Sequence, residues 1–213
     1  MEKIEKFKEG YKNFKNIKFK ENEQRFKKLV KEGQKPTALF IGCSDSRVMP
    51  NLITGSGVGE LFIVRNIGNF VPPFSPDNDF HSTAAAIEYA TSHLGVTDII
   101  VCGHSDCGAI KELFKEHKVT DENIHTIKWL ELGKEAKEKA LEVVGDKSFA
   151  IQREFAEKVS VVMQLENLLT YPAVKKRVED GELFLHAWHY KLDTGEIFYF
   201  DEEEAEFKPL EDS

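Results

Sequence analysis

The sequence predicts an α/β protein: a mostly parallel central β-sheet flanked by helices, with an antiparallel hairpin at its C-terminal edge and a helical arm at its N-terminus. Three observations carry this expectation. The runs "TALFIG", "GELFIVRN" and "TDIIVCG" are short, apolar and rich in β-branched residues, as expected of strands buried in a parallel sheet. Stretches of helix formers alternate with them, notably "FHSTAAAIEYATSHL" at 80–94, and alternating strands and helices imply parallel pairing. "ELFLHAWHYKLDTGEIFYF" is two strands around the turn "DTG", a hairpin signature.

Taken in order, the elements are these. Ile4, Phe7, Tyr11, Phe14 and Ile17 recur at helical spacing and form one apolar stripe. Phe26, Leu29 and Val30 form a second, shorter one. A stripe at a chain end packs either on its own domain or on another subunit. The first strand runs from "TALFIG" straight into "CSDS", and the second is "GELFIVRN". The helix at 80–94 stops at Gly95, a residue suited to the C-terminal cap. After the third strand, "HSDCGAIKELFKEH" turns helical, with Ser105 and Asp106 as N-cap candidates. The helix in "KVSVVMQLENLLTYP" is expected to stop at Pro172. The whole chain, 1–213, is expected to be a single domain, with residues 1–33 as its arm.

Composition narrows the class. The 213 residues carry a net charge of −8. Residues 1–35 hold twelve basic and six acidic side chains, but the lysines interleave with glutamates as on a solvated helix face, so no nucleic-acid role is expected. No apolar run approaches the ~18 residues of a membrane span, and the first residues lack the apolar core of a signal peptide. The expected location is cytoplasmic. Three cysteines, Cys43, Cys102 and Cys107, are too few and too odd in number for a disulfide framework. Gly55, Gly57 and Gly59 have the wrong spacing for a nucleotide loop.

Two strand ends carry chemistry. Cys43 closes the first strand and is followed by Asp45 and Arg47; His104 and Cys107 follow the third. Ligand sites in such sheets lie at the carboxyl ends of strands, and adjacent strands bring these two ends together. Thiolate and imidazole are the donors that Zn²⁺ prefers. Three protein ligands leave a fourth position open, the mark of a catalytic rather than a structural zinc. Asp45 could reach the metal itself, and Arg47 could hold it away through a bidentate ion pair. Cys102 reads as a small buried hydrophobe.

"CSDSR" and "HSDC", with "GELFIVRNIGNFVPP", "AAIEYATSHLGV" and "IIVCGHSDCGAIK" around them, resemble the β-class carbonic anhydrases, strongly over residues 34–115 and more loosely beyond. The resemblance implies one Zn²⁺ per chain on Cys43, His104 and Cys107. Water, hydroxide or the Asp45 carboxylate fills the fourth position. In the active form Arg47 holds Asp45, and a zinc-bound hydroxide converts carbon dioxide to bicarbonate and a proton. It further implies a substrate pocket of Gln34, Phe62 and Tyr89, with the first two contributed by a neighbouring subunit, and hence a homodimer or a dimer of dimers. Where one branch of the family has a tryptophan at an inhibitory bicarbonate site, this chain has Phe40, so that site is not expected. Other readings of the same ligands are a carbon disulfide or carbonyl sulfide hydrolase, and a non-catalytic zinc scaffold or redox sensor closed by Asp45.

Overall fold

The computed structural model describes residues 2–77 and 79–212. The arm comprises α1 (Glu2–Asn13), a π-helical turn (Phe14–Lys18), the single turn α2 (Phe19–Glu21) and α3 (Glu23–Glu32). The body follows as β1 (Ala38–Cys43), α4 (Pro50–Thr54), β2 (Leu61–Asn66), α5 (Ser82–Glu88) and β3 (Asp98–His104). Next come α6 (Gly108–Leu113), α7 (Ile124–Leu130), α8 (Lys134–Val144), α9 (Phe149–Leu169) and α10 (Pro172–Glu179). The chain ends in β4 (Phe184–Tyr190), β5 (Ile197–Asp201) and β6 (Glu206–Pro209).

The six strands form one sheet in the order β2-β1-β3-β4-β5-β6. β2, β1, β3 and β4 are parallel, and β5 and β6 antiparallel. The expected fold class is therefore the observed one. The hairpin differs in one respect: its first strand, β4, is not an edge strand but pairs in parallel with all seven residues of β3. The outermost strand is β6, drawn from the acidic C-terminal stretch and held by Lys208, which pairs with Asp201 at 2.7 Å and Glu204 at 2.9 Å. No apolar alternation marks it, so its charges hid it.

β1 and β3 lie mid-sheet and are buried on both faces, which is why they read as unbroken apolar runs. On one face Leu39, Ile41, Ile99 and Val101 pack against Ile87 and Ala90 and against Val161, Leu165 and Leu168 of α9. On the other, Phe40, Ile100 and Cys102 pack with the partly buried Leu61, Trp188 and Tyr190. A third cluster joins Cys43 and Cys107 to Val48, Phe70, Ile110 and Leu113 at the strand ends.

Two helix boundaries depart from expectation. The long helix ends at Leu169, and Pro172 begins α10 instead of merely stopping α9. Its fixed φ and missing N–H suit the first turn of a helix. The N-cap of α6 is Cys107, not Ser105 or Asp106. Ser105 Oγ instead accepts the Leu192 N–H at 2.9 Å, and Asp106 takes a left-handed conformation with φ 61°. Gly95 does end the 80–94 helix in a left-handed conformation, after α5 has continued through a π-helical stretch, Tyr89–Leu94.

Candidate metal centre

Pairing of β1 with β3 sets the site. Gly42 lies opposite Cys102, so Cys43 and His104 leave adjacent strands side by side. The tight turn after β3 then returns Cys107 to the same point. The donor atoms of Cys43, His104 and Cys107 all lie within 4.8 Å of one another, and all three residues are buried. They are the sole such group of potential metal ligands among the described residues. Cys102 is not in this group: it is fully buried in the cluster with Phe40 and Ile100, and burial, with the nearby Cys43 second, pushes its thiol up to about 12, as expected of a hydrophobe.

The donor chemistry fits zinc. His104 Nδ1 donates to the Ser105 carbonyl at 2.9 Å, since a carbonyl can only accept. That fixes the tautomer and leaves Nε2 as a lone-pair donor. His104 Nε2 is buried with no hydrogen-bond partner, an expensive arrangement unless a cation takes it. Cys43 is held down to about 4 by the Cys107 thiol beside it, against the opposing effect of burial, with help from His104 and the Asp45 N–H. Cys107 is pushed up by the same contact and by burial. The two sulfurs thus share one proton, which a divalent cation displaces. Burial alone would depress His104, but the neighbouring Cys43 thiolate more than offsets it and raises the imidazole.

Asp45 does not join this cluster. Arg47 donates from Nε to Asp45 Oδ1 at 2.9 Å and from Nη2 to Oδ2 at 2.8 Å, a bidentate pair. The Arg47 backbone N–H also donates to Oδ1, at 3.0 Å. The guanidinium holds the carboxyl well below the usual carboxylate range, and the carboxylate in turn raises Arg47. Arg65, on β2, donates to the carbonyls of Cys43 at 3.0 Å and Asp45 at 2.6 Å, so it braces the loop that carries both.

The expected pocket residues lie elsewhere in the chain. Phe62 sits four residues before Asn66, the partner of Cys43, which places it ~13 Å back along the strand. Its ring contacts Tyr89 at 5.9 Å between centroids. Gln34 is exposed in the link between α3 and β1. A single chain therefore gathers Cys43, Asp45, Arg47, His104 and Cys107 at the strand ends, while Phe62, with Tyr89 against it, lies further back along β2 and Gln34 lies in the link before β1.

Two residues at the site escaped the sequence. Glu157, on α9, is buried and accepts the Cys107 N–H at 3.0 Å. Its carboxylate also lies 3.2 Å from Arg153 Nε and 3.4 Å from Nε2 of the fully buried His189. Both residues look like ordinary charges on an amphipathic helix. Their spacing of four, one turn, is the only signal, and many surface pairs share it.

Fold and site together define a metal-dependent enzyme of the α/β class, with a mixed thiolate and imidazole centre at the carboxyl ends of parallel strands. The comparisons with known proteins agree. The family model described as carbonic anhydrase matches residues 38–197. A carbonic anhydrase of Helicobacter pylori strain J99 is 39% identical over 204 residues, covering 92% of each chain. A chloroplastic β carbonic anhydrase of Arabidopsis thaliana is 37% identical over 179 residues, 84% of this chain and 58% of the relative. Among solved structures, a β-carbonic anhydrase superposes with a TM-score of 0.91 at 38% identity, covering 97% of this chain and 98% of the other. The protein belongs to the β-class carbonic anhydrase family, and its cofactor is zinc.

Proposed function

We propose that this protein catalyses the reversible hydration of carbon dioxide to bicarbonate and a proton. The observation that carries the reading is the buried Cys43–His104–Cys107 triad with Asp45 held off it by Arg47. Cys43, His104 and Cys107 would hold zinc, which supplies, when bound, a water molecule acidified towards neutrality and an electrophilic centre. The chain's own residues do the rest. The Ser105 carbonyl and Glu157 orient His104 and Cys107. Asp45, kept ionised by Arg47, is an acceptor only, so it selects a nucleophile that presents a hydrogen to it. Asp45 would also be able to serve as a further ligand were it released from Arg47, and the Arg47 pair is what would hold it back.

The pocket reading completes this. Gln34 and Phe62 of a neighbouring subunit would flank the triad with Tyr89, giving a small, largely apolar chamber suited to carbon dioxide. Support comes from two uncovered apolar surfaces. Ile4, Phe7, Tyr11, Phe14 and Ile17 are exposed along the arm, and the sheet face of Leu61, Trp188 and Tyr190 is only partly buried. Each could cover the other across a twofold axis. On this reading residues 1–213 are one domain, with 1–33 clasping the partner. A Sordaria macrospora relative, 26% identical and superposing with a TM-score of 0.81 over 99% of this chain and 98% of its own, is described as tetrameric, which suits a dimer of dimers. No described helix is long and apolar enough to cross a membrane, and we place the protein in the cytoplasm.

The test is stopped-flow carbon dioxide hydration from pH 6 to 9 with zinc measured on the same sample. Two thiolates donate more charge to the metal than three imidazoles, so the bound water ionises above ~7 and the rate rises with pH. A fully zinc-loaded protein without hydration at any pH defeats the reading.

A further inference from the structure

Asp106 lies between the ligands His104 and Cys107, yet it faces away from the triad. Four polar contacts converge on it. Its Oδ1 takes Lys111 Nζ at 2.6 Å and Arg153 Nη1 at 2.9 Å. Its Oδ2 takes Arg47 Nη1 at 3.4 Å, and its backbone carbonyl takes Arg47 Nη2 at 3.3 Å. Arg47 therefore has Asp45 on one edge and Asp106 on the other. The left-handed backbone at Asp106 is tolerated by Asp and Asn better than by most residues. It turns the carbonyl and the carboxylate towards the same guanidinium. Arg153 is in turn braced against the buried Glu157, so the chain of charges is anchored in α9. A cleft of about 500 Å³ opens beside it, with Arg47, Ser105, Asp106 and Lys191 in its wall.

We propose that Asp106 is a positioning residue: with Lys111 and Arg153 behind it, it fixes the outer edge of the Arg47 guanidinium, so that the inner edge stays aligned on Asp45. The argument is geometric. A guanidinium has five N–H donors in a plane; two serve Asp45, and the contacts to Asp106 remove its freedom to swing towards solvent. An isolated exposed pair would contribute little, but a network anchored on a buried carboxylate can hold a geometry. The inference rests on the proposed roles of Asp45 and Arg47.

The test uses the zinc-loaded full chain with Asp106→Asn, which is isosteric and accepts the left-handed backbone. Asp106→Gly, which accepts it more readily still, guards against a folding defect. The first readout is the Arg47 Nε–H peak in a ¹⁵N–¹H spectrum, assigned by its loss in Arg47→Lys. We expect it to broaden or move towards free arginine in both variants. The second is kcat for hydration, expected to fall about three- to tenfold with KM within about twofold, since alignment acts on the reacting state more than on substrate binding. An unchanged Arg47 peak with unchanged kcat overturns the proposal. Zinc loss with the Arg47 peak in place also overturns it, by assigning Asp106 to the ligand-bearing turn. Arg47→Ala separates the two levels: if it retains full activity, the reading of the Asp45–Arg47 pair itself falls, whereas a ~100-fold loss there beside silent Asp106 variants sinks only this inference.

Discussion

Each ligand of the triad does a different job before any metal arrives. His104 offers a lone pair because its other nitrogen is spent on the Ser105 carbonyl. Cys43 and Cys107, in contact, shift each other in opposite directions, so the pair holds one proton between them. Metal uptake must expel that proton, so zinc affinity falls as pH falls. Competition with a chelator across pH 8 to 5.5 should show progressively easier extraction on the acid side; a pH-independent exchange would contradict the shared proton. Glu157 makes a separate prediction. Glu157→Ala leaves the Cys107 N–H buried without an acceptor, a cost of ~1–3 kcal/mol, while Glu157→Gln keeps one. Denaturant unfolding of the two variants should separate them in that order. Cys43, Asp45, Arg47, His104 and Cys107 were legible in the sequence because they sit next to their strands and their types are those of a zinc site. Glu157 and Arg153 were not, because only the docking of α9 on the sheet tells them from surface charges. Asp106 was visible, but as a helix cap; the positive φ that redirects it leaves no mark on the sequence.

Among the elements, β3 and α9 bear most directly on the site. Gly103 sits where they touch, and a Cβ there would lie 2.4 Å from Val161 Cγ2, a stiff branched side chain in the core. Gly103→Ala should therefore destabilise the fold by about 1–3 kcal/mol. It should also weaken zinc retention, because His104 is the next residue. A melting temperature and zinc content equal to the parent would show that α9 can yield. β1 and β3 could be read from the sequence because burial on both faces makes them continuous apolar runs. β6 could not, because an edge strand needs only one paired side and can be built from "EFKP". The parallel pairing of β4 was likewise hidden, since a hairpin pattern fixes the relation of β4 to β5 and says nothing about β3.

For the molecule as a whole, the arm is the feature that most needs a partner. From Ile4 to Lys35 no residue is buried, although α3 is clipped to the body where Arg25 meets Glu60 at 3.1 Å and the Val58 carbonyl at 2.6 Å. Deleting residues 1–33 removes none of the buried core, so the body should still fold. The truncated protein should lose dimers in sedimentation analysis. On the proposed two-subunit pocket it should also lose hydration activity, because no neighbour would then supply Gln34 and Phe62. A truncated chain that stays dimeric and active would disprove the clasp.

The order in which the chain is made bears on the same centre. Cys43 is synthesised 61 residues before His104, and Glu157, which fixes Cys107, comes 50 residues after Cys107. β3 takes its place between β1 and β4, and β4 begins only at Phe184. An emerging chain therefore carries Cys43 as an ordinary thiol, and the contacts that lower it form only when the non-local pairing is complete. Alkylation of Cys43 during refolding should accordingly proceed as for an ordinary exposed thiol until β3 has docked beside β1, and stop once the residue is buried, which mass spectrometry of quenched samples would follow.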